Sequence, residues 1–168
     1  QRKIEREPLV LEFDYIPDAL QAFGPIINTD LTITPTHRKA LEEAGQPIPP
    51  NVNCRFLIDT GSDGTIVKHQ FAEQAGLKLI NASVPLHGVG VDTTGRVYIG
   101  RIVFGLRSRI SDAVQHQIFI DTQIRSARLE TDRIDGLIGR DVLRHFVLSC
   151  DGRTGQVRMK YHRPPASP

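Results

Sequence analysis

The sequence predicts an all-β, mainly strand-built chain with one or two short helices. Eleven prolines and fourteen glycines punctuate its 168 residues and leave no stretch with a long helical period. The runs of β-forming residues are short and bounded by turn residues, as in Phe56-Leu57-Ile58 and Leu137-Ile138. Apolar character alternates from Ile27 through Leu31 to Ile33, with Thr29 fitting loosely, which is the period of a half-buried strand.

Taken in order, Leu9–Tyr15 has enough β-formers for a strand, and Pro17–Pro25 reads as a connection. Ile26–Thr34 is the alternating strand, stopped by Pro35. Thr36 caps a short helix over His37–Ala44 with Gly45 as its stop. Asn53–Asp59 and Thr65–Lys68 read as strands, His69–Ala75 as a helical turn, and Leu77–Val84 as extended. Leu86–Gly100 has alternation around a Gly- and Thr-rich tip, the pattern of a long hairpin. Arg101–Leu106 and Gln117–Asp121 are further strands. Asp135–Phe146 reads as a short apolar strand, a glycine and a brief helix carrying Val142, Leu143 and Phe146 on one side. Val147–Asp151 and Gln156–Tyr161 form a closing hairpin.

This length suits one domain that buries roughly 70% of its unfolded surface. Charged residues make up 24% of the chain, and 21 basic against 19 acidic residues leave a net charge of +2. Two loose basic groups, Arg125/Arg128/Arg133 and Arg153/Arg158/Lys160/Arg163, lack interleaved aromatics. They read as solvated faces rather than a nucleic-acid surface. Cys54 and Cys150 fit neither a disulfide framework nor a metal motif, and read as buried free thiols. No apolar run has the length of a membrane span and no signal-peptide pattern is present. A cytoplasmic location is expected, although a start at Gln1 leaves a removed targeting segment open.

The stretch around which the chain is organised is Phe56-Leu57-Ile58-Asp59-Thr60-Gly61-Ser62-Asp63-Gly64-Thr65. A buried strand delivers a carboxylate into a tight turn. An acid at the rim of a core is costly without a partner or a task. Gly61 permits close backbone approach, and Thr60 brings a hydroxyl that can hold the loop. By itself this is also the composition of an ordinary Asx-turn.

Together with the glycine-rich hairpin and Leu137-Ile138-Gly139-Arg140-Asp141, however, the order resembles the retroviral-type aspartic proteases (retropepsins). It is also similar to the retroviral-like protease domain of DNA-damage-inducible proteins. The resemblance covers residues 26–161. It leaves residues 1–25 as an N-terminal extension, 35–50 as an insertion and 162–168 as a disordered tail. It implies a retropepsin-like acid protease barrel with one Asp-Thr-Gly lobe and a flap hairpin.

Residue by residue, the resemblance makes Asp59 the catalytic carboxylate, Thr60 a bond across the two halves of the enzyme, and Gly61 the close-approach position. Ser62 stands where viral members commonly carry alanine, and its hydroxyl is expected on the outer oxygen of Asp59, favouring an acidic pH optimum. Asp63 and Arg140 match an internal ion pair. Gly88–Gly95 would be the flap tip. Substrate would touch Ser62, Asp63, Gly88, Val89, Gly90, Val91 and Ile138.

Water activation of this kind takes two carboxylates sharing a proton. One copy of the motif is present, because Asp92-Thr93-Thr94 and Asp121-Thr122-Gln123 lack the glycine. The implied enzyme is a two-fold homodimer in which Asp59 faces its twin, cutting an extended peptide or protein with no metal and no cofactor. No nucleic-acid or membrane partner is expected.

Two other readings compete. A catalytically silent peptide-binding or assembly module would keep the fold without the chemistry. A phosphohydrolase using Asp59 as nucleophile would need a second acid where Gly61 stands. His69, His87, His116 and His145 show no paired ligand spacing, and Asp141 suits the first turn of a helix.

Overall fold

The computed structural model describes residues 7–88, 91–107 and 114–163. The expectations for the extreme termini, Val89 and Gly90 lie outside these. Two sheets and four helices make up the described residues. In chain order they are β1 (Leu9–Asp14), α1 (Pro17–Phe23), β2 (Ile26–Thr32), α2 (Pro35–Glu43), β3 (Val52–Ile58), β4 (Thr65–Lys68) and α3 (His69–Gln74). These are followed by β5 (Lys78–Gly88), β6 (Val91–Arg107), β7 (Val114–Ala127), β8 (Gly136–Ile138), α4 (Arg140–Leu143), β9 (Phe146–Asp151) and β10 (Gln156–Tyr161).

The larger sheet runs β2-β3-β8-β4-β7-β6-β5, and a second pairing of β2 with β6 closes six of its strands into a barrel. Closure removes the free edges that would otherwise invite association. The inward positions of every strand fill the barrel: Ile27, Leu31, Phe56, Ile102, Ile124 and Ile138 are all buried. Each such side chain contributes roughly 1.5–3 kcal/mol relative to exposure. The alternation in β2 holds from Ile27 through Thr29 to Leu31, all buried, and ends there, because Thr32, Ile33 and Thr34 are buried in succession.

The second sheet is β1-β10-β9, antiparallel throughout. It joins the N-terminal strand to the C-terminal hairpin and lays Leu11, Val157 and Met159 into the core. Phe146 meets Phe104 of β6 edge-on, with centroids 5.2 Å apart. The Tyr15 hydroxyl donates to the Ile26 carbonyl at 2.8 Å. Burial pushes the Tyr15 phenol up to about 12, with the nearby Cys150 thiol adding to the shift.

Several local expectations change. Pro17–Phe23 is a helix rather than a bare connection: Pro17 stands in its first turn, where a missing N–H costs nothing, and Asp18 suits the dipole. The cap of α2 is Thr34, whose hydroxyl accepts from the His37 amide at 3.3 Å, with Pro35 opening the helix. β6 is one strand through Gly100, not two. Gly95 pairs with Val84 and the β5–β6 ladder continues to Gly88 with Val91, so Gly88 and Val91–Gly95 are paired strand rather than an open tip. Cys54 is buried, but Cys150 is exposed because β9 is the outer strand of its sheet. Burial pushes the Cys54 thiol up to about 12, helped by the charges of Asp135 and Asp30.

Candidate active site

β8 lies between β3, to which it is parallel, and β4, to which it is antiparallel. The chain joining β3 to β4 must therefore pass over the end of β8, and that connection is the loop Asp59–Gly64. Its backbone is tied down along the crossing. The Asp59 amide donates to the Ile138 carbonyl at 2.9 Å, and the Arg140 amide donates to the Ser62 carbonyl at 2.9 Å. Gly139 faces Gly64 so closely that a Cβ there would fall within the shell of the Gly64 carbonyl. Only glycine fits that position without moving the loop.

Asp59 is half-buried, with Thr60 and Gly61 exposed beside it. The Gly61 amide donates to Asp59 Oδ1 at 2.9 Å, fixing the carboxylate from within its own turn. A Cβ on Gly61 would stand 3.1 Å from that oxygen, so the position favours glycine by contact. Arg140 Nη1 donates to the Thr60 carbonyl at 2.7 Å. The Thr60 hydroxyl points to no partner within the chain among the described residues.

Behind the loop sits a polar knot, with Asp141 and Thr122 half-buried around a buried Thr65. The Thr65 hydroxyl, fully buried, donates to Asp141 Oδ1 at 2.8 Å and accepts from the Gly139 amide at 3.3 Å. Thr122 donates to Asp141 Oδ2 at 2.9 Å, and the Val142 amide donates to Oδ1 at 2.9 Å. Asp141 does suit the start of α4, and it also binds β4 and β7 to that helix, a role no local pattern announces.

Three side-chain expectations are corrected. The ion pair of Asp63 is with Arg125, at 3.1 Å, and not with Arg140. Parallel pairing of β4 with β7 sets Arg125 opposite Ile66 and brings its guanidinium over the loop. Arg125, by hydrogen bond and charge, holds the Asp63 carboxyl below the usual range, and Arg140 adds a smaller pull. The Ser62 hydroxyl turns to the Gly64 carbonyl at 2.7 Å and not to Asp59, capping its own turn. Ile138 is fully buried and cannot touch substrate.

Its neighbour Leu137 takes the outward place instead. Leu137 is half-exposed and in register with Leu57 of β3 and Ile66 of β4, both half-exposed. Leu57 shares a face with Asp59, two residues on. That alternation was a signal available in the sequence. Gly88 ends β5; Val91 begins β6, and its side chain, like all of Val89 and Gly90, lies outside the described residues.

Below the crossing, Asp135 is 5% exposed and takes both the backbone amide and the guanidinium of Arg55, at 2.8, 2.9 and 3.2 Å. Burial would raise its pKa, but the Arg55 bonds and charge, with Lys68, more than reverse this and lower it. Of the histidines, His69 bonds Ser126 Oγ through Nδ1 at 2.7 Å. Among the described residues no three His, Cys, Asp or Glu side chains gather as a metal site.

A small closed barrel with an acid-bearing loop crossing a wrapped strand is the architecture of the retropepsin-like acid proteases. A family model described as aspartyl protease matches residues 48–142, which contain the loop, the hairpin and the Leu137–Asp141 motif. The chain belongs to that family. The match does not single out the DNA-damage-inducible branch, and no curated protein matches the chain significantly.

Proposed function

We propose that the chain is an aspartic endopeptidase that works as a homodimer, with Asp59 of each copy sharing one water across a two-fold axis. The observation that carries this reading is the loop itself. Asp59 is oriented by the Gly61 amide, presented with an exposed Thr60 and Gly61, and present once per chain. Two carboxylates that close share a proton, so one takes a proton from water while the other gives one to the scissile carbonyl. The pair titrates as a unit.

The Thr60 hydroxyl, without a partner among the described residues, is available to bond across the axis. β9, the outer strand of its sheet among the described residues, with exposed Val147 and a start just after α4, is suited to pair with its twin and join two sheets into one. A groove of about 930 Å³ along β1 and β2 does not include Asp59. Leu57, Leu137 and Ile66 supply an apolar floor, favouring hydrophobic side chains at the cut. The β5–β6 hairpin would cover the bound strand as a flap that excludes water.

The test is digestion of an unstructured protein at pH 4–7 with and without EDTA, using Asp59→Asn as control. Cleavage unaffected by EDTA and absent in Asp59→Asn is expected. Binding without cleavage by the intact chain would favour the silent module.

A further inference from the structure

The row that begins beside Asp59 does not end in an apolar residue. Register carries it from Leu57 to Leu137, from Leu137 to Ile66, and from Ile66 to Arg125 across β3, β8, β4 and β7. All four are half-exposed. Three strand spacings separate the ends, about 14 Å, the span of about four residues of extended peptide. Three apolar positions are thus followed by a guanidinium.

That guanidinium is held in place but not used up. Arg125 Nη1 donates to Asp63 Oδ1 at 3.1 Å, and the group rests on the Gly64 backbone, where an added Cβ would stand 3.3 Å from Cζ. Arginine presents five N–H donors in a fixed fork. This is the one hydrogen bond its guanidinium makes among the described residues, and the side chain is 38% exposed. Arg140 adds only a weaker, longer-range pull on the same carboxylate, and its own guanidinium bonds the Thr60 carbonyl.

We propose that Arg125 is a specificity-determining residue, selecting an Asp or Glu side chain in the substrate up to about four residues from the scissile bond. A bound peptide covers the row and strips water from the spare donors. A neutral side chain leaves them unpaired, which is costly, and a basic one meets the like charge of the guanidinium. A carboxylate completes the fork with charge-assisted bonds. Two-fold symmetry repeats the subsite on the other side of the cut. This rests on the protease reading above.

The experiment is cleavage of a peptide set with a fixed apolar core and Asp, Asn or Lys scanned through the flanking positions. Wild-type enzyme should prefer Asp over Asn by about tenfold in kcat/KM at one position on each side, and disfavour Lys. Arg125→Gln should bring the Asp/Asn ratio near one. Binding of the same peptides to Asp59→Asn, read by fluorescence anisotropy, should follow the same order without turnover. Cleavage with no acidic preference, or a preference that survives Arg125→Gln, overturns this inference alone. Peptides bound with acidic preference but never cut overturn the protease reading and leave the subsite standing. Neither binding nor cleavage of any peptide removes both.

Discussion

The amide of Asp59 donates to the carbonyl of Ile138 at 2.9 Å, joining the end of one strand to the strand that wraps behind it. This bond, with that from Arg140 to Ser62, makes the position of the acid a property of the barrel and not of a free loop. Sites held on rigid elements keep their geometry better than sites on loops.

Gly139→Ala tests that coupling. The added methyl has no room against the Gly64 carbonyl. A loss of about 1–3 kcal/mol in urea unfolding is expected, together with a fall in kcat larger than the change in KM. A variant as stable and active as wild type would show that the crossing is loose.

Asp141→Ala removes the acceptor of two threonine hydroxyls, one of them fully buried. An expected cost of about 1–3 kcal/mol follows from the unsatisfied Thr65. Asp141→Asn, which keeps an acceptor, should lose less. In a double-mutant cycle Thr65→Val should recover part of the Asp141→Ala loss, because both partners are then gone. Simple additivity would refute the shared bond.

Leu137 and Ile138 are adjacent but should behave oppositely. Ile138→Ala empties a core position and should cost about 2–5 kcal/mol of stability. Leu137→Ser should change stability less and instead raise KM for peptides with large apolar side chains at the cut. Swapped outcomes would mean that the faces of β8 are assigned the wrong way round.

Acid stability should depend on Asp135. Its carboxyl has a lowered pKa in the fold, so its contribution is fully present above the unfolded value of about 3.9 and is lost as pH falls through the folded value below that. Unfolding free energy followed by denaturant from pH 6 to pH 2 should fall on the acid side. Asp135→Asn should flatten part of that fall. An unchanged pH profile would remove the Arg55 pair from the account.

The sequence carried much of this in plain view. The alternation in β2, the apolar run into Asp59, and the Leu137–Asp141 motif each have a local signature, and each stands where it was expected. What escaped notice was set by register between distant strands. Arg125 read as part of a solvated basic group because nothing near it in sequence tells that β7 lies beside the active-site loop. β8 is three residues long, too short to show which of Leu137 and Ile138 faces inward. The helix α1 spans seven residues opened by a proline, and its composition is equally that of a turn. The Ser62 hydroxyl bonds the Gly64 carbonyl of its own turn, a local partner that the sequence alone does not rank above the nearby acid.

The central claim is that a lone Asp59 becomes catalytic only by facing its twin, and subunit mixing tests it most directly. Wild-type and Asp59→Asn chains are mixed in equal amounts at fixed total concentration, allowed to exchange, and assayed. Only dimers of two wild-type chains should cut, so activity should fall to about one quarter of the undiluted enzyme. A fall to about one half, as for independent chains, would contradict the shared site.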